Sequence, residues 1–193
     1  MSTSPAQPRP SGVASDGYAI AMTVFSLLKP WGPIVQRLVF ALGRLHPPAD
    51  VNGLAMIHFA RLALIDQFPD HGQPRDDLRQ VLQLFESNYN GSFDQYIDTF
   101  VDAIPAKMRY FWGTSYGFPC RLPLGPFKRY IQDNEFPIDH YYARNPDATV
   151  KMVSSAFRVM NANAQLLRDA QRMDPAAFAD RFKAMITATQ HDL

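Results

Sequence analysis

Five histidines carry the chemistry that a neutral-pH enzyme most often uses: His46, His58, His71, His140 and His191. An imidazole titrates near neutrality and acts as a general base or as an axial haem ligand. Their spacing narrows the options. No His-Glu-x-x-His, no histidine pair four apart and no Cys/His cluster occurs, so no metal site is expected. His58 and Arg61 interrupt the apolar run of residues 54–65 (LAMIHFARLALI). Burying either group is costly unless it is paired. In a regular strand the two point to opposite faces. One of them then lines a pocket on a sheet, or each is held structurally, for instance by Glu86 on a neighbouring strand. His140 alternates with Ile138, Tyr142 and Arg144. That face forms a polar wall suited to an anion or a carbonyl, or else an exposed edge. The candidate catalytic set is therefore His58, Arg61, His140 and Tyr142, and chemistry alone does not choose between the two histidines.

Other motifs are weaker. Asn88, Asn90, Gly91 and Ser92 form a turn whose backbone amides suit an anion, but Ser92 as a helix cap already uses one of them and a structural turn is the better reading. Cys120 has no adjacent histidine in sequence and reads as an inert thiol. Asp76 and Asp77 read as solvated loop residues. Gly-x-Gly-x-x-Gly, a P-loop and a Gly-x-Ser-x-Gly elbow are all absent, which removes sequence support for nucleotide cofactors and for a serine hydrolase.

The elements that must position these residues belong to a chain of 193 residues, 47% hydrophobic, 12% aromatic and 19% charged. That is charge-poor beside the ~25% of an ordinary domain. Nineteen basic against eighteen acidic side chains leave a net charge of +1, which argues against a nucleic-acid partner. One cysteine excludes an intramolecular disulfide framework. One domain of ordinary size with a real core is expected.

Residues 1–16 are Ser, Pro, Ala and Gly with nothing large to bury, and read as a disordered tail. Residues 17–48 read as an apolar helical extension. Two apolar runs are split at Lys29-Pro30-Trp31-Gly32-Pro33, and each is too short to span a bilayer. In the second run Val35, Leu38, Leu42 and Leu45 share one helical face, with Arg37 and Arg44 on another. Trp31 beside Lys29 suits a membrane interface. The competing reading packs both runs on the domain core or on a second subunit.

Residues 50–193 read as a single α+β domain. Strands are expected over 54–65, 81–87, 109–115 and 138–144. Ser92 and Gln95 make a capping box ahead of a helix that buries Phe93, Tyr96, Ile97, Phe100 and Ile104. A short helix follows from Gly125 to Asn134. A long helix over 149–170 is expected to bury Val153, Phe157, Met160, Ala164 and Leu167. Asp174-Pro175 opens a last helix that buries Phe178, Phe182, Met185 and Ile186. This order predicts one four-stranded antiparallel sheet with helices on one face. Its other face then needs a cover, which makes a sheet-on-sheet homodimer a reasonable expectation.

Three segments carry a resemblance: His58-Phe59-Ala60-Arg61, residues 84–92 (LFESNYNGS) with Asp94 and Tyr96, and Tyr116-Gly117-Phe118-Pro119. They resemble an uncharacterised bacterial group with the pattern HFAR, LFESNxxGSxDxYxD and GFP, across about residues 50–170. That group is similar to the dimeric α+β barrel superfamily, which implies a ferredoxin-like fold. The superfamily includes dye-decolourising haem peroxidases, chlorite dismutases and small polyketide-modifying enzymes, so haem is the cofactor the resemblance brings in. The haem-peroxidase Gly-x-x-Asp-Gly motif is missing here, and the resemblance carries over no catalytic residue.

Two functional expectations follow. One is a small enzyme, cytoplasmic, acting on an apolar or aromatic small molecule in a pocket of this domain and possible as a haem protein. The other is a non-catalytic scaffold held at a membrane surface or on a partner by residues 17–45.

Overall fold

The computed structural model describes residues 14–45, 54–75 and 78–192. Most of the expected disordered tail, His46, Asp76 and Asp77 lie outside the described residues. Two compact units divide the chain, the first ending at Asp147 and the second starting at Ala148. This replaces the expected boundary near residue 50.

The first unit holds β1 (Ala14–Asp16), β2 (Ala19–Leu27), α1 (Gly32–Leu45), β3 (Ile57–Ile65), β4 (Leu82–Tyr89), α2 (Phe93–Ala103), α3 (Pro105–Trp112) and α4 (Leu124–Asn134). Its sheet is four-stranded and antiparallel, in the order β1-β2-β4-β3. The run β2–α1–β3–β4–α2 is the βαββα part of a ferredoxin-like fold. The α+β class and the four-stranded sheet agree with the sequence reading, but two of the strands are different ones. The first apolar run is not helical. It is β2, paired along its length with β4. Residues 109–115 are largely α3, opened by Pro105 in the first turn, where a missing N–H costs nothing. Residues 138–144 form no strand. Pairing with β2 stops after Glu135 bridges Val24 and Phe136 N donates to Thr23 O, because Pro137 has no N–H to continue it.

The outer edge of β2 is therefore closed by three separate pieces of chain. They are β1, the Glu135 bridge at Val24, and Ser115, which bridges Leu28.

Alternation along the strands sorts the sheet into two faces. Met22, Val24, Phe85 and Tyr89 point inward against Tyr96, Ile97 and Phe100 of α2, Met108 and Trp112 of α3, and Phe127 and Ile131 of α4. The capping box is present, with Ser92 Oγ accepting from Gln95 N and Gln95 Oε1 accepting from Ser92 N, both at 3.2 Å. Two inward-facing serines of the strands are satisfied by helix side chains. Tyr96 Oη donates to Ser87 Oγ at 2.6 Å and Tyr130 Oη to Ser26 Oγ at 2.9 Å.

The opposite face is covered in part by the chain itself. Residues 135–146 run over its β1–β2 end. Phe136 meets Phe25 edge to face at 5.5 Å, and Asn88 Nδ2 donates to Tyr141 Oη. Ala143 N donates to Asp16 Oδ2 at 2.9 Å, and Tyr18 N to Pro146 O at 2.8 Å. Gly17, at φ +61°, lets this segment close on the hairpin, since a Cβ there would lie 2.2 Å from Pro146 O. Leu27 and Phe59 stay exposed on the remainder of that face.

The second unit is a helical hairpin, α5 (Val150–Ala170) and α6 (Pro175–Thr189). Thr149 caps α5, and Asp174 Oδ1 caps α6 by accepting from Ala176 N and Ala177 N, each at 2.9 Å. Its packing corrects the sequence reading. Val153, Phe157, Met160 and Leu167 are exposed on α5, as are Phe182 and Ile186 on α6, while Ser155 and Leu166 are buried.

Candidate functional site

The four expected catalytic residues do not form a site joined by hydrogen bonds. β3 carries a β-bulge, where Ile57 pairs with Tyr89 and Phe59 with Asn88, so His58 is the extra residue between them. The regular alternation that would separate His58 from Arg61 fails at that point. His58 is exposed. Arg61 is ion-paired with Glu86 directly across on β4. The hydrogen bond and the charge of Glu86 raise the guanidinium further above its usual range. The pair matches the structural reading of Arg61. His140 and Tyr142 stand exposed in the irregular 135–146 segment, Tyr142 at 74%. Of that stretch it is Tyr141, the residue between them, that reaches the sheet through Asn88. Haem would need an axial ligand held in an apolar slot. The exposed positions of His58 and His140 do not fit that group. Among the described residues, no group of three or more His, Cys, Asp or Glu side chains is arranged to hold a metal ion.

A different feature stands out on α1. The helix buries Gly32 and Gln36, and Gln36 is 0% exposed. Gln36 Nε2 donates to Tyr110 O at 2.9 Å, Phe111 O at 2.8 Å and Thr114 Oγ1 at 2.9 Å. Two backbone carbonyls at one amide nitrogen fix its orientation, because an oxygen there would face two acceptors. From the sheet, Gln83 Nε2 donates to the same Phe111 carbonyl at 2.7 Å. The α3 C-terminus thus ties α1 to β4 through a shared acceptor. Gly32 allows the close approach, for a Cβ there would lie 3.1 Å from Leu28 Cβ and 3.2 Å from Thr114 O.

This latch sets the roll of the helix. At 3.6 residues per turn, Ile34, Leu38, Leu42 and Leu45 lie about half a turn from Gln36, with Trp31 and Val35 beside them. All six are exposed, Leu38 at 60% and Leu45 at 72%. An amphipathic helix normally turns such a stripe inward. Here it faces away from the domain. Lys29 Nζ lies 5.7 Å from the Trp31 ring centroid, at one end of the stripe. Arg37 is ion-paired with Asp66 at 2.6 Å, and Arg44 stands in the last turn. Residues 17–45 contain no Asp or Glu.

The shared face of Val35, Leu38, Leu42 and Leu45 was legible from spacing. Gln36 was missed as a buried anchor. Its signal is a lone amide inside an apolar run, on the side opposite the leucines.

No family model, curated protein or solved structure matches the chain.

Proposed function

We propose that the protein is a non-catalytic scaffold that attaches reversibly to an anionic membrane surface through α1. The observation that carries this reading is the exposed stripe of Trp31, Ile34, Val35, Leu38, Leu42 and Leu45 on a segment without acidic residues. Burying a large side chain that is already half covered contributes about 1 kcal/mol, so six give about 6 kcal/mol before ordering costs. Basic residues near an anionic surface add about 1 kcal/mol each. That sum supports peripheral, reversible attachment. Among the described residues, no helix is long and apolar enough to cross a membrane.

The enzyme reading has less to support it. Its four residues are exposed or paired structurally, and no hydrogen bond joins any two of them. The grooves on the second unit are lined by residues such as Ala162, Leu166 and Met185 and include none of the four.

Flotation of the full-length protein with phosphatidylserine-containing vesicles tests the proposal. The wild type floats with these vesicles, less so as salt is raised, and Leu38→Glu/Leu42→Glu reduces flotation at least tenfold. Equal flotation of the two proteins sinks it. A Soret band on adding haemin, lost in His58→Ala, would favour the enzyme instead.

A further inference from the structure

We infer that α5 is an interface to a second copy of this chain, the two hairpins completing a four-helix layer. The inner side of α5, toward α6, mixes small and larger groups. Ala162 and Leu166 line a shared groove with Ala184, Met185 and Ala188, and Ser155 Oγ donates to Asp192 at 2.9 Å. The exposed stripe Val153, Phe157, Met160, Ala164 and Leu167 is larger and more apolar, with Met160 also lining a groove beside Met185 of α6. Val153, Met160 and Leu167 stand at seven-residue intervals, the spacing of a helix–helix seam. Only four of the 21 residues of α5 are charged: Lys151, Arg158, Arg168 and Asp169. A helix apolar on both sides belongs inside a bundle. Leu166 is the one buried hydrophobic residue among the described residues of this unit, so the hairpin has no core of its own. Two helices alone do not close a core, whereas two hairpins do.

A lipid surface fits this stripe less well than it fits α1. The hairpin mixes both signs of charge, six cations with four carboxylates, and two of the cations are engaged internally. Arg158 is ion-paired with Asp192, and Arg181 lies 3.9 Å from Asp169. Phe157 is 57% exposed, Met160 and Leu167 are similarly open, and Val153 and Ala164 less so. The stripe offers on the order of 500 Å² per copy, about 1,000 Å² for a pair, which reaches the lower limit of a specific interface. A weak, concentration-dependent dimer is the expected result.

Sedimentation velocity of the full-length protein over a concentration series tests this. The wild type shifts from monomer to dimer. Phe157→Glu/Met160→Glu weakens the association at least tenfold, while Phe59→Glu on the sheet and Leu38→Glu on α1 leave it intact. Met160 lies at the middle of the stripe, where a two-fold axis relating the two helices would pass. In a Cys120→Ser background, Met160→Cys therefore forms an intermolecular disulfide, a readout that holds even where the charged variant unfolds. A monomer at every concentration overturns the proposal. So does a dimer broken by Phe59→Glu and untouched by the α5 charges. Loss of vesicle flotation in the α5 variant with no change in mass would make lipid the occupant and overturn it equally.

Discussion

Replacing Gln36 by leucine removes an amide whose two hydrogens are shared among three acceptors and leaves the Tyr110 carbonyl without that donor in a part-buried site. The expected loss is about 1–3 kcal/mol, measured by urea unfolding, and α1 should loosen first in hydrogen exchange. The latch is not ideal, because Gln36 Oε1 and Gln83 Oε1 are both buried with no hydrogen-bond partner among the described residues. Tyrosines give a second prediction at this scale. Burial and the charge of Glu135 push the Tyr89 phenol up to about 12. Burial raises Tyr96 and Tyr130 as well, against the lowering effect of their serine partners. A raised acid holds its proton more tightly when folded than when unfolded, where the value is near 10. Its stabilisation is therefore complete below about pH 10 and is lost between about pH 10 and 12. A phenolate absorbance titration should show these three ionising together with loss of the fold. Ionisation of Tyr89 near pH 10 in a still-folded chain would contradict this.

Among the elements, the β1–β2 hairpin depends on one glycine. Gly17→Ala places a Cβ 2.2 Å from Pro146 O at a positive φ. It should cost more than about 2 kcal/mol, read from thermal melts, and should free residues 135–146 from the sheet. Element types were readable where local chemistry decides them. The Ser92–Gln95 box, the Asp174–Pro175 start and the β3 and β4 runs are examples. Misreadings came from tertiary context. β2 is buried on one face and half-buried on the other at its centre, so its residues show little polar alternation, and an apolar run alone does not separate strand from helix. The aromatic residues of 109–112 suit a strand, yet Met108 and Trp112 sit one turn apart on the buried side of α3. Spacing also identified which residues share a face on α1 and α5 without telling which way the face points. On α1 that direction is set by carbonyls of residues 110 and 111, which no local pattern contains.

At the scale of the whole molecule, both units expose apolar helical faces of similar spacing but different charge. The α1 face has basic neighbours and no acidic ones. The α5 helix carries both signs of charge, and its Arg158 and Asp169 are paired within the hairpin. In the hairpin, Arg158 and Ser155 hold the Asp192 carboxyl down at about 2. The low charge fraction of the chain is thus spent in two places, and the two proposed partners, a lipid surface and a second copy, need not compete.

The broken closure of the β2 edge bears on how the chain folds as it is made. β1 and β2 are made before the segments that bridge Leu28 and Val24, which come from residues 115 and 135. Until those residues emerge, part of the β2 edge offers unpaired backbone to any neighbouring strand. Such long-range closure is slow to form. The nascent chain therefore passes through an aggregation-prone stage whose length is set by translation, and a fragment ending before Ser115 would never leave it.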